Sequence, residues 1–138
     1  MTIKKQHLWI DREYDRISTE IPCRIGPVGG ARKSAVIVNL SAGGLKFTCS
    51  REVFDLLLPE DQRIPGQIGN VDIEIQFQLH STGSRKPLNI RTLARIIYTE
   101  RLAQDSYTAG IKFLSLGETD VRALATSIRE RNIRPGWL

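Results

Sequence analysis

One stretch of this chain alternates strictly between apolar and polar side chains. Between residues 72 and 79, the apolar residues Ile73, Ile75, Phe77 and Leu79 each follow a charged or amide side chain. Because successive side chains of a β-strand point to opposite faces, the pattern predicts a strand with one face in a core and the other in water. A strand of this kind needs further strands to pair with, so the chain must fold around a sheet.

Five other segments have strand-like composition. They are rich in apolar or β-branched residues and cover residues 20–25, 35–39, 45–48, 90–99 and 107–113. Such residues fit a pleated surface. Pro22 lies in the first segment and lacks a backbone N–H, which suits an edge strand. Together with residues 72–79, the sequence predicts about six short strands.

The helical signals are fewer. Val121, Leu124, Ala125 and Ile128 recur at the spacing of one face of a helix and predict an amphipathic helix near the C-terminus. Residues 52–58 are long enough for one or two helical turns before Pro59. Six strands followed by one helix predict a mainly β fold, an antiparallel barrel that is closed or nearly closed and covered by the helix.

Length and composition indicate an ordinary globular domain. The 138 residues suit a single domain, with 41% apolar and 25% charged residues. No apolar run approaches the ~18 to 20 residues that span a bilayer, so we expect no membrane insertion. Charged residues follow the basic N-terminus, which is unlike a secretory signal, and a cytoplasmic protein is expected.

The charge favours an anionic partner without identifying it. The net charge is +5 and the isoelectric point is about 9.6. The basic residues are dispersed along the chain, and no long basic run marks a nucleic-acid-binding tail. We therefore expect no nucleic-acid partner.

Candidate catalytic and metal-binding residues are sparse. Cys23 and Cys49 have no neighbouring Cys or His at zinc-ligand spacing, and we expect buried, reduced thiols. His7 and His80 are isolated and predicted to lie at the surface. No Ser-His-Asp or Cys-His set is present, so the sequence predicts no enzyme, no metal site and no cofactor.

Two short motifs remain. Arg12 and Arg16 lie four residues apart, and Asn39, Ser41 and Gly44 occupy a glycine-bearing turn between two predicted strands. Asn and Ser hydrogen-bond nearby backbone in turns, and glycine takes the positive φ that a tight connection needs, so an ordinary hairpin turn explains the second motif in isolation. In this order, however, the two motifs match R-x-x-x-R and [D/N]-x-S-x-x-G. The chain thus resembles the PilZ domain family, bacterial receptors for cyclic di-GMP, over residues 12–130.

The resemblance implies a fold and a function. It implies a six-stranded antiparallel β-barrel with a C-terminal α-helix in residues 17–133, a flexible N-terminal arm in residues 1–16 and a tail in residues 134–138. The implied function is that of a non-catalytic receptor for cyclic di-GMP whose arm changes conformation on binding and signals to a protein partner. The alternative is a PilZ-like interaction module that does not bind nucleotide.

The resemblance also implies roles for six residues. Arg12 and Arg16 would hold phosphate and the Hoogsteen edge of guanine, since the guanidinium fork matches both. Asn39 and Ser41 would hydrogen-bond a guanine. Gly43 and Gly44 would let the backbone approach the ligand closely.

Three further features bear on ligand binding. Asp11 stands where some relatives carry an additional arginine that accompanies a stacked ligand dimer, which favours one nucleotide per site. Trp9, Tyr14 and Tyr107 could stack on guanine, although core packing or anchoring of the arm is the preferred interpretation. A barrel of the OB type that binds single-stranded nucleic acid is a third possibility, but its stacking surfaces need more aromatics than the 7% present.

Overall fold

A computed structural model of the chain describes residues 16–59, 71–81, 86–129 and 133–135. The strands are β1 (Arg16–Pro27), β2 (Lys33–Ser41), β3 (Gly44–Ser50), β4 (Asp72–Ser81), β5 (Leu88–Ala103), β6 (Ser106–Phe113) and β7 (Ile133–Pro135), and the helices are α1 (Arg51–Leu57) and α2 (Glu118–Arg129). Arg16, placed by the sequence at the end of the arm, is the first residue of β1. The predictions for Asp11, Arg12, Trp9 and Tyr14, like those for His7 and residues 136–138, lie outside the described residues.

Six antiparallel strands close into a ring. Their order is β1-β2-β3-β6-β5-β4, and β4 pairs again with β1 from Cys23 opposite Phe77 to Pro27 opposite Ile73. Closure matters because it gives each of these strands a neighbour on both sides. The predicted six-stranded antiparallel barrel with a C-terminal helix is therefore confirmed.

Pro22 occupies an edge position, as expected, although β1 as a whole is not an edge strand. β1 pairs with β2 along one side and with β4 along the other. Pro22 is tolerated because the pairing with β4 begins only at Cys23, so the missing N–H faces no partner from β4.

β7 is a short strand that the sequence did not predict. It pairs with Leu79, His80 and Ser81 of β4, on the edge of β4 that β1 occupies further along. Three residues that include Pro135 carry no periodic signal, so its formation depends on the neighbouring strand.

The interior of the barrel is formed by alternate residues of the strands. Ile73, Ile75, Phe77 and Leu79 are at most 3% exposed, which confirms the alternating pattern. In α2, Leu124 and Ile128 are buried, and Val121 and Ala125 pack against the same core. Each large apolar side chain removed from water contributes about 1.5 to 3 kcal/mol to folding, so these faces hold the barrel closed and the helix on it.

α1 occupies the predicted position before Pro59. It begins at a serine cap, where the Ser50 hydroxyl accepts a hydrogen bond from the N–H of Val53 at 3.2 Å. Phe54 stacks on Tyr107 of β6 with ring centroids 4.1 Å apart. Neither helix in the described part of the chain has the length and apolar character that crossing a membrane requires.

Candidate functional site

The turn between β2 and β3 is built around the hydroxyl of Ser41. Its oxygen accepts hydrogen bonds from the N–H of Gly43 at 3.2 Å and of Gly44 at 3.1 Å, and it donates to the carbonyl of Gly44 at 3.1 Å. A hydroxyl has one proton and two lone pairs, so these three bonds use its capacity. Ser41 is also buried. In this structure its side chain shapes the turn, and a hydrogen bond to guanine would have to replace one of these bonds.

Gly44 is required by a neighbouring strand. A Cβ at this position would lie 2.2 Å from the carbonyl oxygen of Ile111 in β6. The N–H of Phe113 also donates to the carbonyl of Gly43 at 3.0 Å, which fixes the turn against β6. The positive φ expected of a turn glycine does not occur at Gly44; it occurs at Gly29, where φ is 75°. Close approach of backbone to backbone therefore explains the glycine.

A β-bulge turns Asn39 to the outer face of the barrel. Ile37 pairs with Phe47, both buried, and the next pair is Asn39 opposite Lys46, so Val38 is an extra residue on β2. Strict alternation would send Asn39 into the core after Ile37. The extra residue reverses the alternation, and Leu40 points inward instead.

A second bulge does the same for Tyr98 in β5. Ile96 pairs with Ile111, and the next pair is Tyr98 opposite Gly110, which leaves Ile97 as the extra residue. A Cβ at Gly110 would lie 2.1 Å from the Cε1 atom of Tyr98. The aromatic ring therefore lies directly against the Gly110 backbone, in space that only a glycine leaves open.

The two bulges align one row of outward-facing positions across five strands. The register partners in this row are Ser18, Asn39, Lys46, Gly110 and Tyr98, on β1, β2, β3, β6 and β5 respectively. The row therefore brings an amide, an ammonium group and an aromatic ring to one patch of the barrel surface.

A cavity of about 520 Å³ opens at this row and extends to the start of β1. Three cationic side chains line it: Arg16, whose register partner is Ser41, together with Lys46 and Lys112. Among the described residues that line the cavity there is no carboxylate. Leu114, Leu116 and other apolar residues form part of its wall. A positively charged cleft with an apolar wall suits an anion that also carries flat, weakly polar groups.

The structure brings most of the predicted site residues together. Those that line the cavity are Arg16, Asn39, Ser41, Gly43 and Gly44. The sixth, Arg12, lies outside the described residues. Arg16 of the first motif thus meets the turn of the second, more than twenty residues later in the sequence, because β1 pairs with β2 in the register that sets Arg16 opposite Ser41.

A family model described as the PilZ domain matches residues 10–130. The chain belongs to the PilZ domain family. The matched range nearly coincides with residues 12–130, which the two motifs indicate. As a PilZ domain, the chain is not an enzyme.

Solved PilZ proteins share the fold. The Bacillus subtilis inhibitor of motility, MotI/DgrA, aligns with a TM-score of 0.63 at 18% identity, over 88% of this chain and 51% of that one. PlzA of Borreliella burgdorferi, in complex with c-di-GMP, aligns at 0.57 and 12% identity over 87% of this chain and 52% of that one. The PilZ domain of YcgR from Escherichia coli, with c-di-GMP, aligns at 0.51 and 18% identity over 87% and 93%.

These likenesses establish the fold alone, because the identities are low. The chain spans about half the length of MotI/DgrA and PlzA. It matches no curated protein.

The described residues of this PilZ domain offer neither a metal site nor a reactive thiol. No group of three His, Cys, Asp or Glu side chains within the described ranges could hold a metal ion. Cys23 is buried and Cys49 is half-buried, and both are free thiols. Burial raises the pKa of Cys23 to about 12 and that of Cys49 to about 11. Both thiols therefore stay protonated at neutral pH, the form that is a poor nucleophile.

Two of the described residues that line the cavity are aromatic, Tyr98 and Phe113, and the sequence did not indicate Tyr98 as a stacking residue. Tyr107 packs on Phe54 and has the guanidinium of Arg101 at 5.9 Å from its ring centroid, which agrees with the preferred packing role. Tyr98 lines the cavity instead. The run Ile96-Ile97-Tyr98 interrupts the alternation of β5 in the sequence, but only the pairing with β6 shows that Ile97 is the extra residue.

Proposed function

We propose that this PilZ domain is a non-catalytic receptor for cyclic di-GMP and that the ligand binds in the cavity beside the β2–β3 turn. The observation that carries the proposal is the convergence of Arg16, Asn39 and Ser41 on one cationic cavity. Two of the solved proteins with the same fold, PlzA and the PilZ domain of YcgR, contain c-di-GMP. Both observations support a nucleotide as the ligand.

The charge and hydrogen-bonding groups of each side chain determine whether it would hold a phosphate or a guanine of the ligand. Cyclic di-GMP carries two phosphodiester groups and two guanines. Arg16 can bind phosphate or the guanine O6 and N7 atoms bidentately, whereas Lys46 and Lys112 supply point charges for phosphate. Asn39 faces outward beside Lys46 and offers an amide to a base edge.

Tyr98 and Ser41 would act in different ways. The ring of Tyr98 lies against the Gly110 backbone at the cavity and would offer a stacking surface for a guanine. Ser41 would hold Gly43 and Gly44 in place, so that the turn is shaped before the ligand arrives.

Binding would also order the N-terminal arm. Arg12 lies four residues before Arg16, so closure of the arm would bring a second guanidinium to the ligand. Fixing each backbone residue costs about 1 to 2 kcal/mol, and a doubly charged ligand with two bases can offset that cost. The changed arm would then signal to a protein partner. Asp11 beside Arg12 favours one nucleotide per site over a stacked dimer.

Isothermal titration calorimetry with cyclic di-GMP tests the proposal, with cyclic AMP and GTP as ligand controls. We expect saturable binding of cyclic di-GMP alone, with a stoichiometry of one, and Arg16→Ala should weaken it about ten- to a hundredfold. Arg122→Ala is the matched control, because Arg122 is exposed on α2 and pairs with Glu118. No heat of binding for cyclic di-GMP would contradict the proposal and leave the interaction module as the function.

A further inference from the structure

A second concavity, of about 590 Å³, lies on the outer face of the barrel where β1 meets β4. It shares no lining residue with the nucleotide cavity. Three register partners line it, Ser34, Arg24 and Gln76, on β2, β1 and β4 respectively, and Arg91 on β5 is the next partner in the same row, beside the concavity. All four residues are exposed. The row therefore sets two guanidinium groups on either side of an amide.

A third arginine is held at the same place. Arg32 donates from Nη1 to the Oε1 atom of Gln76 at 2.9 Å and from Nη2 to Glu74 at 3.3 Å. Arg24 donates to the carbonyl of Arg32 at 3.1 Å. These bonds hold the guanidinium groups of Arg24 and Arg32 in defined positions, which lowers the entropy lost when a ligand binds them.

The charge of this surface is unbalanced. Among the described residues that line the concavity there is no carboxylate, and Glu74 beside it is already bonded to Arg32. Arg24 and Arg91 have no carboxylate as a register partner on the neighbouring strands. Gln78 and Asn89 lie next to the arginines, and Gln78 donates a hydrogen bond to Asn89 at 2.7 Å. Each side-chain amide has two N–H donors and one oxygen acceptor, so both residues keep groups for further hydrogen bonds.

We propose that this surface, defined by Arg24, Arg32, Gln76 and Arg91, binds an acidic segment of a partner protein. Guanidinium groups bind carboxylates in bidentate fashion, and side-chain amides match the donors and acceptors of a peptide backbone. Single-stranded nucleic acid is the less favoured ligand. It requires exposed aromatic rings for stacking, and Phe77, the one aromatic residue among those described in the lining, is only 3% exposed.

The surface is independent of the nucleotide cavity but structurally connected to it. β1 carries Arg16 in the cavity and Arg24 in the second surface, eight residues apart. At about 3.3 Å per residue, the two positions are roughly 26 Å apart along one strand. A partner bound at Arg24 would therefore not obstruct the nucleotide.

The test is an amide and side-chain NMR titration of the full chain with a blocked hexapeptide of alternating aspartate and glutamate. The neutral asparagine-glutamine hexapeptide is the control for charge. We expect fast-exchange shifts of the side-chain signals of Arg24, Gln76 and Asn89 with the acidic peptide alone. Raising the salt concentration should weaken them, because exposed charges are screened.

Two variants sharpen the test. Arg24→Gln should weaken peptide binding roughly three- to tenfold, and Arg122→Gln, another exposed arginine, should not change it. Both variants should keep the wild-type affinity for cyclic di-GMP, so that a failure to bind the peptide is distinct from failure of the proposed function.

Several results would overturn the inference. These are no shift with the acidic peptide, shifts confined to Lys46 and Lys112, or equal loss of peptide binding in the Arg24 and Arg122 variants. Tighter binding of a single-stranded oligonucleotide than of the peptide at the same residues would equally overturn it.

Discussion

The hydroxyl of Ser41, a residue of the family motif, makes three hydrogen bonds within the turn at the site. A family motif is commonly interpreted as a set of ligand contacts, yet this serine uses its proton and both lone pairs within the turn. Within the proposed function, its contribution to binding would therefore be the shape of the turn that carries Gly43 and Gly44.

This role predicts a stability effect for Ser41→Ala. The N–H groups of Gly43 and Gly44 would lose their acceptor in a partly buried place, which costs about 1 to 3 kcal/mol. Urea unfolding measures the change in the free energy of unfolding. Ser41→Thr, which keeps a hydroxyl, is the control and should recover most of the loss. Wild-type stability in Ser41→Ala would mean that the turn does not need these bonds.

Tyr98 is the residue whose substitution separates stacking from hydrogen bonding. Tyr98→Phe keeps the ring, whereas Tyr98→Ala removes the surface on which a guanine would stack. We expect Tyr98→Ala to reduce the binding free energy of cyclic di-GMP by about 1 to 3 kcal/mol and Tyr98→Phe to change it little. Calorimetric titration gives both values. Equal losses in the two variants would assign the effect to the hydroxyl instead.

The packing of neighbouring strands explains why alanine substitutions at Gly44 and Gly110 should have different effects on stability. At Gly44 an added Cβ meets the carbonyl oxygen of Ile111, which belongs to the backbone of β6 and cannot move without disturbing the sheet. At Gly110 it meets the ring of Tyr98, a side chain that can rotate away.

We therefore expect Gly44→Ala to destabilise the fold by about 1 to 3 kcal/mol, as overpacking does. Gly110→Ala should cost less stability but weaken the binding of cyclic di-GMP, because the ring of Tyr98 would leave its place. Urea unfolding and calorimetry on both variants distinguish the two effects. The opposite order of stabilities would contradict the strand geometry.

An ion pair between β4 and β5 makes the stability of the fold depend on pH. Arg95 donates to both carboxylate oxygens of Asp72, at 2.8 and 3.3 Å, and this hydrogen bonding lowers the pKa of Asp72. A carboxyl group with a lowered pKa in the folded state stabilises the fold above its ordinary pKa of about 3.9, and the contribution is lost as the pH falls through the lowered value.

Asp72→Asn should thus be less stable than wild type at about pH 6, and the difference should shrink towards about pH 3. The effect should be small, because both side chains are partly exposed to solvent. Denaturant unfolding of the two proteins across this range measures it. A difference in stability that grows on acidification would contradict a stabilising role of the Asp72 carboxylate.

The strands themselves were predictable, and their register was not. Alternation marked the strand with Ile73, Ile75 and Phe77, and helical spacing marked α2, because both patterns are local. The bulges at Val38 and Ile97 depend on the partner strand, so outward placement of Tyr98 could not be deduced from its neighbours alone.

At the scale of the whole molecule, barrel closure decides which residues meet. The two motifs were found in sequence, and they predicted five of the residues that line the cavity. Lys46 and Lys112 were not predicted as site residues, because only the pairing of β3 with β6 distinguishes them from the other basic residues. The closing pair also limits where β1 is an edge: β4 pairs with it only from Cys23 onward, which leaves Pro22 without a partner from β4.

The central claim is that cyclic di-GMP binds the cavity formed where Arg16, Asn39 and Tyr98 converge. The most direct test is an amide NMR titration of the chain with cyclic di-GMP. We predict that the largest shifts fall on residues 39–46, 98 and 110–112, with smaller changes elsewhere in the barrel. Superimposable spectra of the free and nucleotide-saturated protein would contradict the claim.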